Sequence, residues 1–171
     1  VELLIKHGAD AHVRDDNELT PLHLAVYENH TRVAQQLIVR HGADIEARTI
    51  SQQTPLHMTV FQGSKDTAQL LIGHGADLDA RDEWFHTPLH GAVNANHIDL
   101  AHLLVTHGAD VDAGAPLLGA MDCSSPCAVV ELLNHGAVIN VHAPIGDTMT
   151  TPLMTEEFAE LLLCSIEGFI L

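Results

Sequence analysis

Apolar residues fall in short bursts separated by polar, turn-rich chain, and the bursts are of two kinds. In one kind, Val33-Ala34-x-x-Leu37-Ile38, Ala68-x-Leu70-Leu71-Ile72 and Leu100-Ala101-x-Leu103-Leu104-Val105, apolar side chains recur at i, i+3 and i+4, the spacing of one helix face. The other kind is shorter and follows Thr-Pro: Thr20-Pro21-Leu22-His23, Thr54-Pro55-Leu56-His57 and Thr87-Pro88-Leu89-His90. A Thr side chain caps a free N–H, and Pro in the first turn has no N–H to leave unsatisfied and a φ already suited to a helix. Each Thr-Pro therefore predicts a helix start. At the tenth position of each such unit stand Asn29, Gly63 and Asn96, which tolerate left-handed backbone and predict a turn back. Gly42, Gly75 and Gly108 then supply the stop that closes the second helix. From each glycine to the next Thr lie eleven residues of polar chain, enough for an extended finger but not for another helix. One unit reads helix, turn, helix, finger.

The unit repeats. His7-Gly8-Ala9-Asp10 recurs from His41, His74 and His107 at spacings of 34, 33 and 33, and the Thr-Pro-Leu-His motif keeps the same period. This pattern resembles the ankyrin repeat, whose period is about 33 residues and whose signature is T-P-L-H-x-A. The resemblance runs from residue 1 to about 142 and implies an all-α solenoid of stacked helix-turn-helix units with β-hairpin-like fingers. It divides a single array into a partial repeat (1–14), full repeats (15–48, 49–81, 82–113), a degenerate repeat (114–142) and a truncated or capping repeat (143–171). In the degenerate repeat Ala115-Pro116-Leu117-Leu118 replaces the motif, and Gly108 to Ala115 is 7 residues where Gly75 to Thr87 is 12, so five residues of finger are missing. Ser125-Pro126 supplies a cap for its second helix. The last repeat opens with Thr151-Pro152-Leu153-Met154, and its second helix, Phe158 to Leu163, comes early.

A lone unit buries too little surface to offset its chain entropy, so neighbours must stack. Leu22, Leu56 and Leu89, with Ala25, Val26, Val60, Ala92 and Val93, are expected to face the stack from the first helices. Leu37, Ile38, Leu70, Leu71, Leu103 and Leu104 are expected to supply the other side. Both ends lack a polar cap, which predicts fraying termini.

Charge narrows the partners. Seven Lys and Arg against 23 Asp and Glu give −16, the opposite of a nucleic-acid footprint and unfavourable toward an anionic membrane. The imbalance grows along the chain: −3 over residues 1–48, −6 over 49–114 and −7 over 115–171, with no Lys or Arg after Arg81. Such a field favours a basic partner. Three Cys (123, 127, 164) suit a reducing compartment, which predicts an intracellular protein, cytoplasmic or nuclear. No apolar run reaches 18 residues, so no bilayer span is expected. The opening at Val1, inside an apolar stretch and without Met, predicts a piece of a longer chain with no visible signal peptide.

The chemistry-bearing residues lead to structural roles. Fourteen His invite a metal site, but the row His7, His41, His74, His107 repeats once per unit, and units stacked about 8–10 Å apart cannot share one ion through that row. No metal and no cofactor is expected. Cys123 and Cys127 lack a second pair at zinc-finger spacing. No nucleophile elbow, P-loop, H-E-x-x-H or kinase set is present, so no enzyme and no small-molecule substrate are expected.

The resemblance carries a surface with it. In ankyrin repeats the fingertips and the outward positions of the first helix form a concave face that grips a partner. Here those positions give Tyr27, Glu28, Phe61, Gln62 and Asn94 from the helices, and Ile50, Glu83, Trp84, Phe85 and His86 from the fingers. Four of the chain's six aromatics fall on this face, and Trp and Tyr are enriched at binding hot spots. Trp84 and Phe85 either stand in solvent or fold back on a neighbouring finger. The family's tip glycine is replaced by Glu18, Gln52 and Phe85, which predicts turns of a different kind. The expectation is a non-catalytic protein-interaction module, with an acidic rim of Asp16, Glu28 and Glu83, whose partner has an apolar anchor and basic flanks. The alternative is a targeting or substrate-recognition segment of a larger enzyme, channel or ubiquitin-ligase adaptor.

Overall fold

The computed structural model describes residues 10–114, 116, 120 and 126–137. Within them run seven helices: α1 (Pro21–Tyr27), α2 (Thr31–His41), α3 (Pro55–Gln62), α4 (Lys65–Gly73), α5 (Pro88–Asn94), α6 (Ile98–Thr106) and α7 (Pro126–Asn134). Like packs on like: α1 on α3 and α3 on α5 make one row, and α2, α4, α6 and α7 make the other. His7, the cap at Ser125, Cys123, Cys164 and the fifth unit from Thr151 lie outside the described residues, as do both expected fraying ends. Among the described residues no helix is long and apolar enough to cross a membrane.

The Thr-Pro starts form as their chemistry requires. Pro21, Pro55 and Pro88 open α1, α3 and α5, each behind an extended Thr. The His23 N–H donates to Thr20 Oγ1 (3.4 Å) and the His90 N–H to Thr87 Oγ1 (3.3 Å). In the first two units the imidazole answers: His23 Nδ1 accepts from the Thr20 N–H, and His57 Nδ1 from the Thr54 N–H, each at 3.2 Å. Asn29, Gly63 and Asn96 take φ of 53°, 59° and 56°, and the residue after each returns its N–H to the helix just left.

Leu22, Leu37, Leu56, Leu71, Leu89, Leu100, Leu104 and Leu132 are fully buried along the stack. Each such burial is worth about 1.5–3 kcal/mol, and all eight belong to one apolar cluster that runs through the units. Val60 and Leu70 differ from expectation in being half-buried against this core. Above Val60 stands Gly91, where even a Cβ would come within 3.3 Å of the valine methyls, so no side chain from the next unit extends over it.

The fingers are closed tips, and no strand forms among the described residues. In each, the fourth residue donates back to the first: Glu18 to Asp15 O (2.9 Å), Gln52 to Thr49 O (2.9 Å) and Phe85 to Asp82 O (3.0 Å). Asp15 and Asp82 also accept N–H groups of their own tips through Oδ1. The expectation that loss of glycine changes the turn is corrected. Glu18, Gln52 and Phe85 adopt φ of 59°, 59° and 64°, the left-handed position that a three-residue hairpin loop requires of whatever residue occupies it. The tips are joined in a row, Ile50 N–H donating to Asn17 O and Glu83 N–H to Ser51 O, both 3.1 Å. Arginines tie the finger bases, Arg14 donating to Arg48 O (3.1 Å) and Arg48 to Arg81 O (2.8 Å). One period on, that register holds Gly114, at φ 72°, where a Cβ would stand only 3.1 Å from Thr87 N and 3.2 Å from Phe85 O.

Candidate functional site

The row of tips and the row α1, α3, α5 form the two walls of a groove. Between the first two units it encloses about 530 Å³, with Leu24, Tyr27 and Phe61 on the helix side and Ile50 on the finger side. The turn geometry at Asn29 and Gly63 fixes where α1 and α3 end, and so aims Tyr27 and Phe61 at each other: their rings lie 5.4 Å apart at 59°. All four apolar side chains are exposed, from 41% for Tyr27 to 59% for Ile50. Burying a cluster of this kind is strongly favourable, and scattered single residues are a different case. Glu28 lines the same groove and puts a carboxylate beside the apolar floor.

Trp84 and Phe85 occupy the third fingertip, 58% and 69% exposed, and stand in solvent rather than folded under a neighbour. Glu83, also exposed, is bound through its N–H to the second tip, so the aromatics stand one finger along the same row. His86 backs them: its ring stacks with Trp84 at 6.5 Å and lies flat on His90 at 4.0 Å and 4°. Asn94 is exposed at the end of α5, with Nδ2 3.3 Å from His90 Nε2. Gln62 is exposed but outside the groove lining. Of the ten expected residues, then, Tyr27, Glu28, Ile50 and Phe61 share one groove. Glu83, Trp84, Phe85 and His86 make a second, adjoining patch.

The buried histidines hold this surface in place. His23 Nε2 donates to Gln53 O (3.3 Å) and His57 Nε2 to His86 O (3.2 Å), each locking the base of the following finger. Burial pushes both imidazoles below the ordinary 6.5, the bond to the finger carbonyl opposing it. Both are therefore neutral Nε2–H tautomers, which is what allows Nδ1 to accept from the Thr N–H.

Two features escaped sequence reasoning. Leu24, 48% exposed, is the variable position of T-P-L-H-x-A, and a large aliphatic there was the available signal. On the other row, His102, Glu131 and His135 bring one ligand atom each within 4.8 Å of one another and could hold a metal. The signal there was Glu131-x3-His135, an i, i+4 pair on one helix face. Cys127 is an exposed free thiol.

Comparison with known families agrees with this architecture. A family model described as ankyrin repeats (3 copies) matches residues 1–82 and 49–115. No curated protein matches the chain.

Proposed function

The chain belongs to the ankyrin-repeat family, and from that premise we propose that it binds a protein partner on the face formed by its fingers and first helices. Ankyrin repeats are generally protein-interaction modules and typically non-catalytic. The observation that carries the reading is the groove of Leu24, Tyr27, Ile50 and Phe61, continued by Trp84 and Phe85 at the next tip: six large apolar side chains exposed on one face. An apolar anchor of the partner enters the groove, and flanking Lys or Arg meet Glu28, Asp16 and Glu83. At −16 the chain repels nucleic acid and anionic lipid and draws in a basic segment.

Affinity capture with the wild-type chain, Phe61→Ala, Trp84→Ala and Val39→Ala tests this. Val39 is 64% exposed on α2 and outside the groove. A partner retained by wild type and Val39→Ala is expected to weaken by about 2 kcal/mol, roughly thirty-fold, with Trp84→Ala or Phe61→Ala. A partner held equally by all four would place the interface elsewhere.

A further inference from the structure

We propose that His102, Glu131 and His135 form a divalent transition-metal site, of the zinc class, that clasps the third unit to the fourth. Glu131 and His135 lie one turn apart on α7, and His102 reaches them from α6 of the preceding unit. His102 Nδ1 is 2.5 Å and His135 Nε2 is 3.1 Å from the same carboxylate oxygen, Glu131 Oε1. Two ring nitrogens and one carboxylate oxygen thus converge on a point, and among the described residues no other trio of such groups does so.

The geometry is one small step from coordination. Ligand atoms about 2.0–2.2 Å from a tetrahedral ion lie roughly 3.3–3.6 Å from each other. The two nitrogen–oxygen separations open to that by up to about 1 Å, and the two nitrogens, within 4.8 Å of each other, close by at most about 1.5 Å, within reach of rotamer adjustment for side chains that are 53% (His102) and 32% (His135) exposed. Glu131, at 18%, is the more fixed member and sets the position of the ion. In the metal-free chain His102 Nδ1 donates its proton to Glu131 Oε1; on binding, the ion takes Nδ1 and that proton passes to water or to Nε2, leaving both imidazoles as neutral ligands with Nε2–H on His102 and Nδ1–H on His135. Imidazole with carboxylate selects zinc and its neighbours over magnesium or calcium. The exposed side leaves the fourth position to water.

The place gives the ion a task. Among the described residues the arginine ties between finger bases run from Arg14 to Arg81 O, and Gly114 stands in the next register. The expectation that neighbouring units cannot share an ion concerned a row with one His per unit. This site takes only His135 from that row and completes the set with His102 and the intervening carboxylate.

The test is titration of Zn2+ into the metal-free 171-residue chain, followed by calorimetry, with Co2+ used for its visible spectrum. We expect one ion per chain, a tetrahedral cobalt spectrum, and slower amide exchange in α6 and α7 but not in α1 or α2. His102→Ala, His135→Ala and Glu131→Gln should each weaken binding by more than about tenfold, since even outer-shell changes cost that much. His74→Ala and Cys127→Ser should leave it unchanged, and circular dichroism of each metal-free variant should match wild type, as its exposed or half-exposed site predicts. Absence of binding, binding indifferent to the three ligand variants, or binding lost with Cys127→Ser would each overturn the proposal.

Discussion

The boundary between the second and third units and the boundary between the third and fourth rest on the same apolar stack but on different polar bonds. At the first, Arg48 ties to Arg81 O, His57 to His86 O, and Glu83 N–H to Ser51 O, all at 2.8–3.2 Å. At the second the finger is five residues short. Gly114 stands in the register where Arg81 O accepts at the first, Thr87 Oγ1 donates to Ala113 O (3.3 Å), and His90 lies flat on His86. His102 and Glu131 meet on the opposite row. Through both boundaries the leucines stay buried: Leu56, Leu71, Leu89, Leu104 and Leu132. The stack is therefore the invariant part of this solenoid, and the polar ladder along the fingers is replaceable without loss of the pile. That fits an architecture whose stability is a sum over neighbours.

The sharpest way to break the contrast is to cut the stack on each side. Leu56→Ala removes a side chain buried in α3 between two full units and should cost about 3 kcal/mol, lowering a single cooperative denaturation midpoint for the array. Leu132→Ala removes an equally buried side chain at the irregular boundary. Its effect should be confined: amide exchange should quicken in α7 while α1 to α4 keep their protection. Equal loss of protection in α1 to α4 for both variants would show that the two boundaries transmit stability alike.

The polar ladder is tested next, with a smaller effect. His57→Ala removes the acceptor of the buried Thr54 N–H and the donor to His86 O, and should cost about 2 kcal/mol by urea denaturation. Protonation reaches the same bonds. His23 and His57 are held below the ordinary 6.5 by burial, so the unfolded chain binds these protons more readily than the folded one. Their contribution is complete above about pH 6.5 and is lost as pH falls through the folded values. The His23→Gln/His57→Gln double variant should be weaker at pH 7 yet lose less on going to pH 5. A wild-type acid limb as shallow as the variant's would assign the ladder's stability to other groups.

Much of this was legible because it is periodic. Thr-Pro caps, left-handed turns and buried leucines recur at one spacing, and each is dictated by local chemistry. What was not legible depends on what stands opposite a residue. Leu24 and Met58 share a register, yet Leu24 is 48% exposed and Met58 only 5%, a matter of cover rather than of pattern. Sequence reading placed Trp84 and Phe85 at a tip but left open whether they fold under. The metal-ligating trio was hidden by the shortened finger. His107 to His135 is 28 residues, so the register of His102 falls at residue 130, one place from Glu131, and a 33-residue ruler passes over the pair.

The fingertips offer the smallest effect and the finest discrimination. Gln52 and Phe85 both hold φ near +60°, a conformation that costs an L-residue about 1–2 kcal/mol. Glycine relieves that strain but adds about 0.4–1 kcal/mol of unfolded-state freedom, so Gln52→Gly should raise stability by roughly 0.5 kcal/mol. Phe85→Gly should gain as much, because the ring it removes is 69% exposed. The two differ only in what the lost side chain offers to a partner: Gln52→Gly should leave captured partner unchanged, and Phe85→Gly should weaken it. A tip that is destabilised by Phe85→Gly is packed scaffold, whereas one that is stabilised while losing its partner keeps a strained aromatic in solvent for the sake of contact, as functional sites do.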